Sequence, residues 1–176
     1  EWVEPVSTNY RGYDVWECPP NGQGVIALLL LNIMSGIEKF GDDPINVARM
    51  HHEIEAGRLA YRDRSLYLAD PAFSNVPVED LLSPAYADQV RALINPDKAQ
   101  FDLPSPPLPP HKSTVYVSVV DKDRNACSFI NTVFHTFGAG LVAPQSGVLF
   151  QCRGQGFVVK PGHPNCIEPE KRPLHT

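Results

Sequence analysis

Thr114-Val115-Tyr116-Val117-Ser118-Val119-Val120 is a run of β-branched and aromatic residues and reads as a strand. Asp121-Lys122-Asp123-Arg124-Asn125 is a polar turn, and Ala126 to Phe134 reads as the returning strand. The pair is expected to form a hairpin with a loop of about five residues. Immediately before it the chain changes character. Six prolines fall within residues 96–110, a density that excludes regular hydrogen-bonded structure and predicts an exposed, extended connector. Thr114 therefore sits where a pliable segment meets a rigid strand. A threonine hydroxyl is a weak nucleophile without a base beside it. If the bond after Ser113 is cut, the α-amine of Thr114 becomes that base, with a pKa of about 7.7–8 that leaves a useful neutral fraction. Locally the same residue also reads as an ordinary threonine at the start of a strand.

Working outward, the first half reads as helical. Pro19-Pro20-Asn21-Gly22 opens a helix to about Phe40, with Asn21 as cap and Gly41 as stop. Ile26, Leu29, Leu30, Ile33 and Ile37 form one apolar stripe, and Leu28 and Leu31 widen it toward burial on more than one side. A second helix is expected from Asp43-Pro44 to about Tyr67, with Ile45, Val47, Ala48, Ile54, Leu59 and Tyr61 as its apolar residues. Shorter helices are read at residues 78–82 and 84–94. Beyond the hairpin, Gly147 to Phe150 and Phe157 to Lys160 read as two short strands.

Composition bounds the function. The 176 residues suffice for a core, and 43% hydrophobic with 20% charged content is that of a globular chain. A net charge of −5 without a basic run argues against nucleic acid as a partner. The longest apolar run, Val25 to Leu31, is far below the roughly 18 residues of a membrane span, and the mixed start Glu1-Trp2-Val3-Glu4 is not a signal peptide. Cys18, Cys127, Cys152 and Cys166 are too few and too irregularly spaced for a zinc ribbon or a disulfide framework, and they read as buried free thiols.

Other motifs lead nowhere. His51-His52-Glu53-Ile54-Glu55 lacks the second histidine of H-E-x-x-H and reads as a polar helix face; no metal site is expected. Gly22-Gln23-Gly24 lacks a third glycine and a preceding strand, so it reads as a helix start packed close to a neighbour, and no cofactor is expected. Gln145-Ser146-Gly147 is not a nucleophile elbow.

Several motifs in one order resemble the γ-glutamyltranspeptidase family. Thr114-Val-Tyr-Val-Ser-Val-Val-Asp121 is similar to the Thr-Thr-His-aromatic-Ser-Val-Val-Asp that starts the family's small subunit. Pro19-Pro20-Asn21-Gly22-Gln23-Gly24 resembles the Pro-Pro-Ser-Ser-Gly-Gly helix start of its large subunit. His52 through Ala60-Tyr61-Arg62-Asp63-Arg64-Ser65 and Tyr67-Leu68-Ala69-Asp70-Pro71 resemble a further block, and Phe137-Gly138-Ala139-Gly140 and Lys171-Arg172-Pro173-Leu174 match later landmarks. The resemblance covers essentially the whole chain and implies that it is a segment of a longer precursor.

The resemblance also implies an α+β fold, the four-layer αββα sandwich of N-terminal nucleophile hydrolases. Under it, residues 1–95 would be the helical C-terminal part of the large subunit, 96–113 the connector ending at the autocleavage bond Ser113–Thr114, and 114–176 the β-rich start of the small subunit. Thr114 aligns with the family's nucleophile, and Thr132 with a second threonine that hydrogen-bonds it. The pocket departs from the family pattern. Phe134 stands in place of an asparagine, Arg153 in place of a glutamine or glutamate, and Gly156 in place of the aspartate that binds an α-amine. His175 and Thr176 stand where two serines hold an α-carboxylate. Loss of the aspartate removes the counter-charge for an ammonium group, while Arg153 supplies a fork for a carboxylate. The sequence thus resembles the hydrolase branch that includes oxamate amidohydrolase. The activity this implies is hydrolysis of a small carboxylate-bearing amide. The alternatives are a γ-glutamyl transferase or glutathione hydrolase, a cephalosporin-type acylase, and a degenerate scaffold, against which the intact threonine pair speaks. The implied assembly is two subunits from one precursor, with a dimer of heterodimers possible. The expected location is the cytoplasm, with the periplasm or secretion as the alternative.

Overall fold

The computed structural model describes residues 2–37, 40–41, 43, 45–103 and 114–175. They form a mixed α and β chain with two compact units, residues 1–107 with 157–176, and residues 108–156. Most of the proline-rich connector, with Ser113, lies outside the described residues, as does Thr176. Among the described residues no helix is long and apolar enough to cross a membrane.

The first unit opens with an element that the periodicity does not indicate. Strands β1 (Val6–Tyr10) and β2 (Tyr13–Glu17) pair antiparallel with Tyr10 opposite Tyr13. Their two-residue turn, Arg11-Gly12, has φ of +53° and +91°, the doubly left-handed geometry that matches the twist of a hairpin. Asn9 steadies it: its Oδ1 accepts from Gly12 N at 3.1 Å and its Nδ2 donates to Asp14 Oδ1 at 2.8 Å. The first half is therefore a hairpin followed by helices, rather than helical throughout.

Helix α1 spans Gly24–Ser35, shorter at both ends than the expected 21–40. At its start a Cβ on Gly24 would lie 2.7 Å from Glu17 Oε2 and 3.0 Å from the Cys18 carbonyl oxygen, so only glycine admits the close approach. At its end Arg91 intervenes. The guanidinium donates to the carbonyls of Ile33 (2.7 Å) and Asn32 (2.9 Å) and pairs with Asp88, satisfying carbonyls a longer helix would have used itself. Asn21 is not the cap; the helix is preceded by Gln23, and Asn21 is engaged elsewhere. Val25, Leu28, Leu29 and Ile33 are fully buried, each contributing roughly 1.5–3 kcal/mol, and α1 packs on α2, α4 and the β1–β2 hairpin.

Helix α2 spans Val47–Tyr67, starting later than expected because Asn46 caps it, its Oδ1 accepting from Arg49 N at 3.1 Å. Its buried face differs from the expected one. Ile45 before it and Val47, Ile54 and Tyr61 within it are exposed, whereas Glu55, Ala56, Leu59, Ala60, Asp63 and Arg64 are buried. The two carboxylates on that face are tolerated because they are paired. Glu55 accepts from Arg58 (2.6 Å) and Gln100 N (3.0 Å), and Asp63 from Arg62 (2.8 Å) and the Tyr86 hydroxyl (2.9 Å). Burial and the Asp63 carboxylate push the Tyr86 phenol up to about 12. His51 and His52 hydrogen-bond the carbonyls of Asn95 and Ala48. Helix α3 (Val78–Leu81) and helix α4 (Pro84–Arg91, capped by Ser83) complete the unit.

The second unit holds β3 (Val115–Val120) and β4 (Ala126–Asn131), paired antiparallel, with Asp121 closing the turn through bonds to Asp123, Asn125 and Arg124. Both strands are exposed along their length. The two short strands expected further on are single bridges, Val142 with Leu149 and Val158 with Cys166. Left-handed glycines (Gly147, φ +70°; Gly162, φ +81°) and Pro161 interrupt the ladders, and Arg153–Gly156 is a 3₁₀ turn. The four cysteines are free, but Cys18 and Cys127 are exposed and Cys152 and Cys166 half-buried. Cys127 is exposed because it lies on β4.

Candidate active site

The hairpin register places the two threonines. Val115 pairs with Asn131, so the next position outward sets Thr114 opposite Thr132. Their hydroxyl oxygens lie 3.3 Å apart, and either can donate. Thr132 Oγ1 also accepts from the Phe134 N–H at 3.0 Å. That bond holds the chain where it leaves the strand, and Phe134 adopts φ +80°, a conformation unfavourable for a bulky residue and found where surroundings over-determine it.

From Phe134 the structure leads to Arg153. The chain between them is folded back on itself. Cys152 N donates to the Val133 carbonyl at 3.1 Å, with Ala139 N bonded to the Phe150 carbonyl and Phe150 N to that of Leu141. Gly138 (φ +51°) is required there, since a Cβ would overlap the Phe150 carbonyl oxygen. The closure sets the Arg153 guanidinium carbon 5.0 Å from the centroid of the Phe134 ring. Phe134 is 1% and Arg153 8% exposed. Burial lowers the Arg153 pKa from its ordinary value, and the guanidinium, which side chains of this type keep protonated, sits in a poorly hydrated setting. A desolvated cation stacked on an aromatic ring is suited to a planar anion. Thr114, Thr132, Phe134 and Arg153 thus form one connected set.

His175 belongs to the other unit, on a strap that the sequence alone does not reveal. Arg172 N and Nη2 each donate to Asp70 at 2.8 Å, and Arg172 Nε at 3.1 Å. Asn21 Nδ2 donates to the Pro173 carbonyl at 2.7 Å, Leu174 N donates to Asn165 Oδ1 at 3.2 Å, and His175 N donates to the Asn21 carbonyl at 2.8 Å. Every residue from 172 to 175 is anchored. The signal in the sequence is slight: Asp70-Pro71 and Lys171-Arg172-Pro173 are two polar, proline-marked blocks, too far apart to be linked by spacing.

Arg172 holds the Asp70 carboxyl down to about 2 from its ordinary 3.8, with backbone N–H groups of Arg172 and Ala72 assisting against burial. A depressed carboxyl stabilises the fold above its unfolded pKa, and that contribution is lost as pH falls through the folded value. It is on the order of 2 kcal/mol. Asp70→Asn should therefore lower the melting temperature at pH 7, and the gap from wild type should close between about pH 4 and pH 2. A gap independent of pH would show that the ion pair contributes nothing to stability.

A family profile described as Gamma-glutamyltranspeptidase matches residues 1–176. The Glutathione hydrolase-like YwrD proenzyme of Bacillus subtilis (strain 168) is 38% identical over 176 residues, covering 100% of this chain and 33% of that protein. The Oxamate amidohydrolase proenzyme of Klebsiella pneumoniae subsp. pneumoniae is 30% identical over 98% of this chain and 32% of its own length. Among solved structures, a cephalosporin acylase from Bacillus halodurans superposes with a TM-score of 0.86 at 42% identity, over 100% of this chain and 31% of that one. The chain spans about a third of the length of these relatives. With a match along all of its residues, the chain belongs to the gamma-glutamyltranspeptidase family.

Proposed function

We propose that the full-length protein is a self-processing amidohydrolase, with the four-layer αββα fold, that cleaves a small carboxylate-bearing amide such as oxamate. The observation that carries the reading is the connected set of Thr114 and Thr132 beside a buried, ring-stacked Arg153. Residues 1–95 would end the large subunit, 96–113 would lead to the cut, and 114–176 would begin the small subunit. In processing, Thr114 Oγ attacks the Ser113 carbonyl and the Ser113–Thr114 acyl group shifts from nitrogen to oxygen. Water then opens the ester, leaving a Ser113 carboxylate and a free Thr114 amine and hydroxyl. In turnover, the Thr114 amine takes the hydroxyl proton as the oxygen attacks the substrate carbonyl. It returns that proton to the leaving nitrogen, and water hydrolyses the resulting ester. Thr132, bonded to the hydroxyl and held by Phe134 N–H, orients the nucleophile.

Arg153 would receive the substrate carboxylate, with His175 and Thr176 as further candidates for that role. Arg153→Ala should raise KM for oxamate by about 10- to 100-fold, the worth of a charge-assisted hydrogen bond, with a smaller effect on kcat. Arg153→Lys should recover only part, because it lacks the planar fork. An unchanged KM for Arg153→Ala would remove the residue from the substrate site. The names of the Bacillus subtilis and Bacillus halodurans relatives favour second readings, glutathione or a cephalosporin side chain as substrate. Ammonia release from oxamate measured beside glutathione and cephalosporin hydrolysis separates the three.

A further inference from the structure

We infer that the outward face of helix α2 seats a segment of the full-length protein from outside residues 1–176, and that an aspartate or glutamate of that segment pairs with Arg64. The inference stands apart from the choice of substrate.

α2 carries four arginines. Three pair with a carboxylate on the same helix: Arg49 with Glu53 at 2.7 Å, Arg58 with Glu55 at 2.6 Å and Arg62 with Asp63 at 2.7 Å. Arg64 is the most deeply buried of the four, at 6% exposed. Yet among the described residues no hydrogen bond or ion pair engages its guanidinium, and its Nε is sealed from solvent without a partner. The guanidinium carbon lies 5.3 Å from the centroid of the Tyr61 ring. A ring face attracts a cation but does not satisfy the N–H donors of the fork. Burial pushes the Arg64 pKa down, with no carboxylate acting against it. A charge taken out of water in this way is costly unless it is paired and hydrogen-bonded.

The surface beside Arg64 is built for contact. Val47, Met50, Ile54 and Tyr61 recur at helical spacing, form one stripe and are all exposed. Gly57 falls between Ile54 and Tyr61, and a Cβ there would meet nothing within 4 Å. The centre of the face is therefore low, and another backbone can approach it closely. Apolar side chains gathered around such a centre mark an interaction surface. The chain spans about a third of the length of its relatives, so a protein of their size has ample chain to supply the occupant. Charge complementarity sets its chemistry: apolar toward the stripe and acidic opposite Arg64.

The test uses the full-length protein. Arg64→Met keeps the length of the side chain and removes its charge, and Arg64→Lys keeps the charge. With a carboxylate opposite, the melting temperature is expected to fall in the order wild type, Arg64→Lys, Arg64→Met, the last by roughly 5 °C because it strands the acid. Arg64→Met melting at or above wild type, or above Arg64→Lys, would overturn the pair, since removing an unpartnered buried cation stabilises. Gly57→Leu reads the seat by its sign. Leucine is the better helix former, so on an open face it raises the melting temperature; under a docked segment it lowers it, the result expected here. A photo-reactive diazirine analogue of methionine at Met50 is expected to crosslink, within one chain, to a peptide outside residues 1–176. Crosslinks to a second copy, or none, would overturn the occupant named here. So would a wild-type melting temperature that climbs with added phosphate while that of Arg64→Met does not, which would assign Arg64 to a free anion.

Discussion

Thr114→Ala, introduced into the full-length protein, is expected to leave one uncleaved chain and to lower amide hydrolysis by more than about 10⁴-fold. Both effects come from one atom. The Thr114 hydroxyl opens its own peptide bond and later the substrate's, so removal abolishes the generation of the α-amine as well as its use. Little stability is at stake, since Thr114 is exposed and precedes the ladder that begins at Val115. A folded, inactive, uncleaved protein is the expected product. Thr114→Ser, which keeps a hydroxyl, should still cleave itself and retain partial activity. An active Thr114→Ala protein would end the proposal.

Thr132→Val is expected to lower kcat by about 10²-fold and to slow self-cleavage, with KM changed far less. Valine keeps the shape and removes the hydroxyl. The 3.3 Å contact to Thr114 disappears, and so does the acceptor of the Phe134 N–H. That N–H belongs to a residue held at φ +80°, so its release costs about 1–3 kcal/mol and loosens the ring on which Arg153 rests. Thr132→Ser should restore most of the activity. A Thr132→Val enzyme with wild-type kcat would show that the pair is structural.

The hairpin is legible in the sequence because its signal is local. β-branched residues flank a polar loop, and the pairing of Val115 with Asn131 follows from that loop. The proximity of Thr114 and Thr132 is a consequence of this register. α1 and the end of α2 at Tyr67 are legible for the same reason. Features that depend on partners remote in the chain are not. α1 stops at Ser35 because Arg91 reaches its carbonyls. Asn21, which has the residue type of a cap, holds the strap more than 150 residues away. The buried face of α2 escapes the apolar pattern because Glu55 and Asp63 are paired with Arg58, Gln100, Arg62 and Tyr86, and such a pattern cannot announce a paired charge. The β1–β2 turn, Arg11-Gly12, lacks the Asn-Gly signature that marks such hairpins.

Thr114 must become a chain terminus before its α-amine can serve as the base in substrate hydrolysis, and the turnover proposed above depends on that cut. N-terminal sequencing of the smaller chain in purified, active full-length protein shows whether it occurs. The expected chain begins Thr114-Val115-Tyr116. Full activity in a protein that stays uncleaved, or a cut at any other bond, would refute the mechanism.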